Sequence, residues 1–126
     1  MSISALLWIG LGGALGSILR ALLAVSIRSE FPWATFLANV AGCLLIGMVI
    51  GHESVTETWS HHTRGFVVVG FCGGFTTFST FGLQTINLLE SGDFAAAVTN
   101  VFLSLMFCLF AVWAGIKLGK LFFQGG

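Results

Sequence analysis

The chain combines 126 residues with a strongly apolar composition: 56% are hydrophobic, and five cations and five anions make up the charged 8%. A soluble domain carries about 25% charged residues, so this composition excludes an ordinary soluble protein and indicates an integral protein of the lipid bilayer. The zero net charge leaves no basic surface for nucleic acid. No linker or charged run divides the chain, and we expect a single four-helix transmembrane domain over residues 1–126.

Four apolar segments are long enough to cross a membrane as helices, since a hydrocarbon core of about 30 Å takes roughly 20 residues. Short polar stretches separate them, and the first of these holds the single proline. The sequence therefore predicts an all-α membrane protein. The expected spans are residues 3–26, 33–51, 63–89 and 94–123.

In the first span, Arg20 is the ionisable residue that falls within the apolar run. Cations at membrane depth are rare and often functional, so Arg20 is a candidate for attracting anions into a vestibule. The alternative is that the side chain reaches the membrane surface with its apolar stem lying along the helix. Both interpretations stay open.

In the second span, Asn39 is the polar residue expected deepest in the membrane. An amide in hydrocarbon needs hydrogen-bond partners, so it either bonds across helices or lines a wet path. The residues alone do not distinguish these two roles.

Glycine pairs four residues apart occur in three of the spans and let helices approach closely in lipid. The close contact lies either within one chain or between two. A thin four-helix bundle favours an oligomer, because a pathway forms more easily between two chains. The pairs are Gly12 and Gly16, Gly47 and Gly51, and Gly115 and Gly119.

The third span is too long to cross the membrane untilted, since a continuous helix would measure about 40 Å at roughly 1.5 Å per residue. Gly73 and Gly74 near its middle either mark a break whose backbone binds an ion or allow close packing of an intact helix. Phe75, Phe78 and Phe81 then alternate with hydroxyl residues. The rings either pack, or turn their positive edges towards an anion beside the hydroxyl donors.

In the fourth span, Asn100, Ser104 and Cys108 form a mildly polar stripe one helical turn apart. Bonding of the serine to its own helix backbone explains the stripe as well.

The cysteines Cys43, Cys72 and Cys108 each lie in an apolar span without C-x-x-C spacing. We interpret them as small buried hydrophobes rather than metal ligands.

Positive charge gives weak guidance on orientation. The positive charges are nearly balanced between the two faces of the membrane. Insertion in both orientations, with pairing to an inverted copy, would explain this balance, although one or two residues can also orient a small protein. The terminal face carries Arg64, Lys117 and Lys120, and the opposite face carries Arg28 and, near its end, Arg20.

The run G-F-C-G-G-F-T-T-F-S-T-F, residues 70–81, resembles the signature of the small fluoride channels of the Fluc or CrcB family. Residues 16–20 and 35–42 support the resemblance. It implies an antiparallel homodimer of dual-topology chains in the bacterial inner membrane. Two pores per dimer would passively export fluoride from the cytoplasm and so relieve its toxicity, without catalysis.

The resemblance also implies a structural sodium ion at the dimer interface. The break would fall at residues 73–76, and backbone carbonyls of Gly73 and Thr76 would hold the ion. Phe78 and Phe81 match rings whose edges face fluoride, whereas Phe75 stands where the family is usually aliphatic. The polar residues of the fluoride path would be Asn39, Ser79 and Thr80, with Arg20 as the vestibule cation.

Two other functions stay open beside the channel. A small multidrug exporter has the same size and span number, but it would need a glutamate within the first span, where this chain has none. A structural subunit of a larger membrane complex is the second. The lack of an acid or histidine within any predicted span disfavours proton-coupled transport in general.

Overall fold

The computed structural model describes residues 1–124, and every regular element in that range is helical. Four helical stretches are long and apolar enough to cross a membrane, which confirms the predicted spans. The third, His61–Glu90, is a composite of several helical pieces. The elements are α1 (Ile3–Ser26), α2 (Trp33–Thr56), α3 (His61–Arg64), a π-helical segment (Gly65–Cys72), α4 (Gly73–Phe75), α5 (Phe78–Glu90) and α6 (Phe94–Gln124).

The largest difference from the predicted bounds is at the end of α2, which continues past Gly51 to Thr56. The polar residues there bond to their own helix: the Thr56 hydroxyl donates to the His52 carbonyl at 3.1 Å. The helix stops where Glu57 adopts a left-handed conformation with φ 48°. Hydropathy therefore marked the end of the apolar run and not the end of the helix.

Side-chain caps begin α1 and α6, whereas α2 starts after Pro32 without one. Ser2 accepts a hydrogen bond from the Ala5 amide at 3.2 Å, and the Asp93 carboxylate accepts one from the Ala96 amide at 3.0 Å. Such caps satisfy amides that a helix leaves unpaired at its start. The turn between α5 and α6 uses Gly92 at φ 88°, a conformation that glycine adopts without strain.

The glycine pairs bring helices of the same chain together. A Cβ atom added at Gly47 or Gly51 of α2 would overlap the backbone of α6. One added at Gly12 or Gly16 of α1 would overlap the backbone of the third span. Of the two interpretations left open for these pairs, close packing within the chain is therefore the one observed.

The loop after α2 is tied to the helix ends by a buried carboxylate. The Glu53 side chain is only 7% exposed and forms an ion pair with Arg64, whose side chain is 49% exposed. Glu53 also accepts a hydrogen bond from the Trp59 amide at 3.0 Å. Glu53, which was expected in the loop, thus lies inside α2 together with His52, at the end of the span Trp33–Ser54 and away from its middle.

Candidate functional site

The third span is broken at Thr76 and Thr77, whose backbones are extended. Their φ and ψ angles are −88° and 156° for Thr76 and −152° and 123° for Thr77. The expected break is confirmed, but its location is partly wrong. Gly73 is helical, with φ −63° and ψ −38°, and the helix runs through Gly74 to Phe75.

The two glycines do not interrupt the helix, and only Gly74 serves close packing. A Cβ atom at Gly74 would overlap the backbone of Gly13 in α1, whereas one at Gly73 would meet nothing within 4 Å. Glycine permits a break but does not require one as long as the helical hydrogen bonds persist. The break occurs one turn later, where side chains replace those bonds.

Asn39 of α2 provides the replacement by pairing with the Thr77 peptide. Its Nδ2 group donates to the Thr77 carbonyl at 3.0 Å, and its Oδ1 atom accepts from the Thr77 amide at 2.7 Å. The side chain also lines the groove beside the break. Of the two roles considered for this amide, bonding across helices is therefore observed, and the side chain also borders the groove.

Thr77 and Thr76 use their hydroxyls on either side of the break. The Thr77 hydroxyl accepts from the Thr80 amide at 3.1 Å and so caps α5, while the Thr76 hydroxyl donates to the Cys72 carbonyl at 2.7 Å. The Ser79 hydroxyl lies 3.3 Å from that of Thr77. β-Branched threonines suit extended backbone and supply these bonds locally.

These side-chain bonds divert amides from the carbonyls that a continuous helix would pair with them. The Thr77 amide, which would bond the Gly73 carbonyl, donates to Asn39 instead. The Thr80 amide, which would bond the Thr76 carbonyl, donates to the Thr77 hydroxyl. The carbonyls of Gly73 and Thr76 therefore lack their helical partners at the centre of the span.

Arg20 also reaches the break, a contact that neither interpretation of the sequence included. Its Nε group donates to the Gly74 carbonyl at 3.1 Å, and the Ser17 hydroxyl lies 3.4 Å from the same oxygen. A cation is favoured there because carbonyls at the end of a helix carry negative partial charge. Ser17 was not singled out from the sequence, although it lies one turn before Arg20 on α1.

A groove of about 430 Å³ lies beside the break, between α2, the third span and α6. Within residues 1–124, its lining includes no carboxylate and no histidine. Of the residues predicted for the site, Ser79, Thr80 and Arg20 lie outside this lining. Those that line it are Asn39, Gly73, Thr76, Phe78 and Phe81.

The three phenylalanines of the signature occupy different environments. Phe78 is 78% exposed and Phe81 is 8% exposed, and their ring centroids lie 5.5 Å apart at the groove. Phe75 is buried and stacks on Phe71, with ring centroids 5.7 Å apart and an interplanar angle of 15°. Phe75 is as buried as Phe81, but it lies outside the groove lining and packs on Phe71 within the chain.

A chain of hydrogen bonds connects α6 to the backbone of Phe81. The Ser104 hydroxyl donates to Asn100 Oδ1 at 3.3 Å, Asn100 Nδ2 donates to the Thr85 hydroxyl at 2.9 Å, and that hydroxyl donates to the Phe81 carbonyl at 2.8 Å. Asn100 is 1% exposed. The polar stripe of the fourth span thus holds α5 in place, through a threonine that the sequence did not indicate.

The fold and the break together define a class of protein: a four-span membrane protein whose third helix is interrupted at mid-length beside a groove. A family model described as CrcB-like protein, camphor resistance (CrcB), matches residues 7–116. The chain belongs to the CrcB-like family, and the resemblance of residues 70–81 is confirmed.

Relatives named fluoride-specific ion channel FluC are similar to the chain over most of its length. The protein of Flavobacterium psychrophilum is 41% identical over 117 residues, which cover 90% of this chain and 94% of the relative. That of Opitutus terrae is 46% identical over 119 residues, covering 86% and 87%. That of Geobacter sulfurreducens is 42% identical over 119 residues, covering 91% and 96%.

These relatives are ion channels and not enzymes, in agreement with the expectation that no catalysis occurs. The bacterial family and the four spans identify the chain as a multi-pass membrane protein.

Proposed function

We propose that the protein is a fluoride-selective channel that passively exports fluoride from the cytoplasm across the bacterial inner membrane and so relieves fluoride toxicity. The observation that carries the proposal is the broken third span, where Phe78 and Phe81 stand beside backbone groups freed from helical bonding. The names of the relatives specify the ion. A passive mechanism fits a groove lining without carboxylate or histidine in the described range, since a coupled pump needs a group that binds its proton.

The anion path would follow the groove and the start of α5. Phe78 and Phe81 would turn their positive ring edges towards fluoride, which suits an anion that has lost part of its water. Ser79 and Thr80 lie in the first turn of α5, where the positive end of the helix dipole favours an anion. Asn39 has a second N–H to offer, because one suffices for the Thr77 carbonyl.

An antiparallel homodimer would complete the path and create two pores. Phe78 is 78% exposed in the isolated chain although it lies at the centre of a span, which suits a ring that meets a partner. Charge supports dual topology, because the cations are nearly balanced: Arg64, Lys117 and Lys120 lie on the terminal face, and Arg28 and Arg20 belong to the opposite face.

A structural sodium ion would bind at the break on the dimer axis. Sodium is a hard cation that binds backbone carbonyl oxygens, and the carbonyls of Gly73 and Thr76 are those that lose their helical amides to Asn39 and to the Thr77 hydroxyl. The donor set of this chain therefore fits the ion. When bound, the ion would supply a fixed positive charge that joins the two chains.

Arg20 would serve as the vestibule cation. Its Nε group is tied to the Gly74 carbonyl, which fixes the guanidinium beside the break and leaves its terminal N–H groups to draw anions inward.

Efflux from liposomes tests the function directly. Purified protein in vesicles loaded with potassium fluoride should release fluoride once valinomycin carries the counter-charge, and matched chloride vesicles should stay loaded. Fluoride release no faster than from protein-free vesicles would refute the channel. Equal release of chloride would refute its selectivity.

A further inference from the structure

The wall of the groove carries a pair of thiols that the proposed fluoride path does not use. Cys43 of α2 and Cys108 of α6 both line the groove, and their side chains lie close to each other. Both are partly exposed. They lie on helices held together by the glycine contacts at Gly47 and Gly115, so the packing of the backbone keeps the two sulfur atoms together.

We propose that Cys43 and Cys108 form a binding site for a soft, two-coordinate divalent cation of the Hg²⁺ type, bridging α2 and α6 on the groove wall. Thiolate sulfur is the protein ligand that such soft cations prefer. This assignment replaces the interpretation of these two residues as purely apolar packing. The third cysteine, Cys72, lines the same groove but is buried, and it is left out of the pair.

The small number of available ligands favours mercury(II) over zinc. In the described part of the chain, no group of three or more His, Cys, Asp or Glu side chains is arranged to hold a metal. Zn²⁺ takes four ligands in closed protein sites, so two thiols alone bind it weakly. Mercury(II) is satisfied by two sulfur atoms in a linear arrangement, which Cys43 and Cys108 would reach by rotating their side chains apart.

Charge balance selects the divalent ion as well. With mercuric chloride as the reagent, two sulfur–mercury bonds form, two mercury–chloride bonds and two sulfur–hydrogen bonds break, and two equivalents of hydrogen chloride leave. No atom changes oxidation state. The resulting bis-thiolate is neutral, whereas a monovalent cation between two thiolates would leave a net negative charge in an apolar groove, which is costly.

The position of the site predicts an effect on transport, and this part of the proposal rests on the proposed function. Cys43 lies one helical turn from Asn39 on α2, and Cys108 lies one turn from Ser104 on α6; all four residues line the groove. A metal bridge there fixes the spacing of α2 and α6 and fills part of the groove. Mercury should therefore block the passage of fluoride.

Intact-mass spectrometry of the purified protein with one equivalent of mercuric chloride tests binding without any transport assay. The expected product gains one mercury and loses two hydrogens per chain. Cys43→Ser and Cys108→Ser should each lose this bridged mass, and Cys72→Ser should keep it. Alanine replacements at the same positions provide a second set should a serine variant fail to purify.

Several outcomes would overturn the site. They are a bridged mass that persists without Cys43 and Cys108, one that is lost without Cys72, an adduct that retains chloride on a single thiol, or equal retention of zinc.

The flux assay then separates the metal site from the proposed channel function. Bridged wild-type protein should lose fluoride efflux and regain it with excess dithiol, and each serine variant should keep its own mercury-free rate.

Undiminished flux in the bridged protein would refute the block, although the site would remain. A protein that forms the bridge but conducts no fluoride even before mercury is added would refute the proposed function and leave the site intact.

Discussion

Replacement of Asn39 by leucine isolates the pairing that holds the break open. Leucine has nearly the same size but cannot bond the Thr77 peptide, so both the amide at 2.7 Å and the carbonyl at 3.0 Å lose their partner. A partly buried polar group left unpaired costs about 1–3 kcal/mol. Because the groove admits some water, we expect Asn39→Leu to lower the free energy of unfolding by about 2–4 kcal/mol.

The measurement compares the unfolding of purified variants in the same detergent, with fluoride efflux recorded in parallel. Asn87→Leu is the matched control, because Asn87 is exposed on α5 and such surface changes stay within about 0.5 kcal/mol. Efflux should fall with Asn39→Leu and persist with the control. Equal stability of the two variants would show that the Asn39 bonds do not hold the break.

The Asn39→Asp variant tests the same hydrogen bonds to the Thr77 peptide through their dependence on pH. At low pH the protonated acid offers one O–H group and one oxygen, which suit the Thr77 carbonyl and amide. At higher pH the carboxylate turns acceptor oxygens towards that carbonyl and repels it. Stability and efflux of this variant should therefore be highest at low pH and fall as the pH rises, and a profile parallel to that of the wild type would contradict the bonding scheme.

Three further predictions concern the same region. Phe78→Ile and Phe81→Ile should cut fluoride flux while size-exclusion chromatography finds the dimer intact, and unchanged flux in both variants would mean that the rings only pack. Gly74→Ala should destabilise the protein because its Cβ overlaps the backbone of Gly13, whereas Gly10→Ala, with nothing within 4 Å, should be tolerated; thermal unfolding of the pair decides, and equal midpoints would contradict the packing. Replacing sodium with N-methyl-D-glucamine throughout purification and assay should lower flux and dimer stability, and full activity without any alkali cation would contradict the sodium site.

Much of the site could be anticipated from residue types. Asn39, Phe78 and Phe81 attracted attention because an amide or a run of rings among hydroxyls is unusual within an apolar span. Arg20 stood out for the same reason, yet its bond to the Gly74 carbonyl depends on how α1 crosses the third span, which no local pattern encodes.

The position of the break illustrates the limit of local rules. Gly73 and Gly74 have the weakest helix preference in the region, but both stay helical, and Gly74 packs directly against α1. Thr77 leaves the helix because Asn39, distant in sequence, competes for its peptide groups. A rule based on helix propensity detects the glycines but not Asn39, the distant residue that competes for the Thr77 peptide groups.

The sequence by itself determined the membrane class and the number of spans, and its family resemblance implied an interruption in the third. Hydrophobic length and polar breaks are local properties that the bilayer selects directly. Only the tertiary structure decided where the interruption falls, which carbonyls it frees and which ring packs inside. Those outcomes depend on hydrogen bonds and close contacts between distant segments, as in the pairing of Asn39 with Thr77 and the stacking of Phe75 on Phe71.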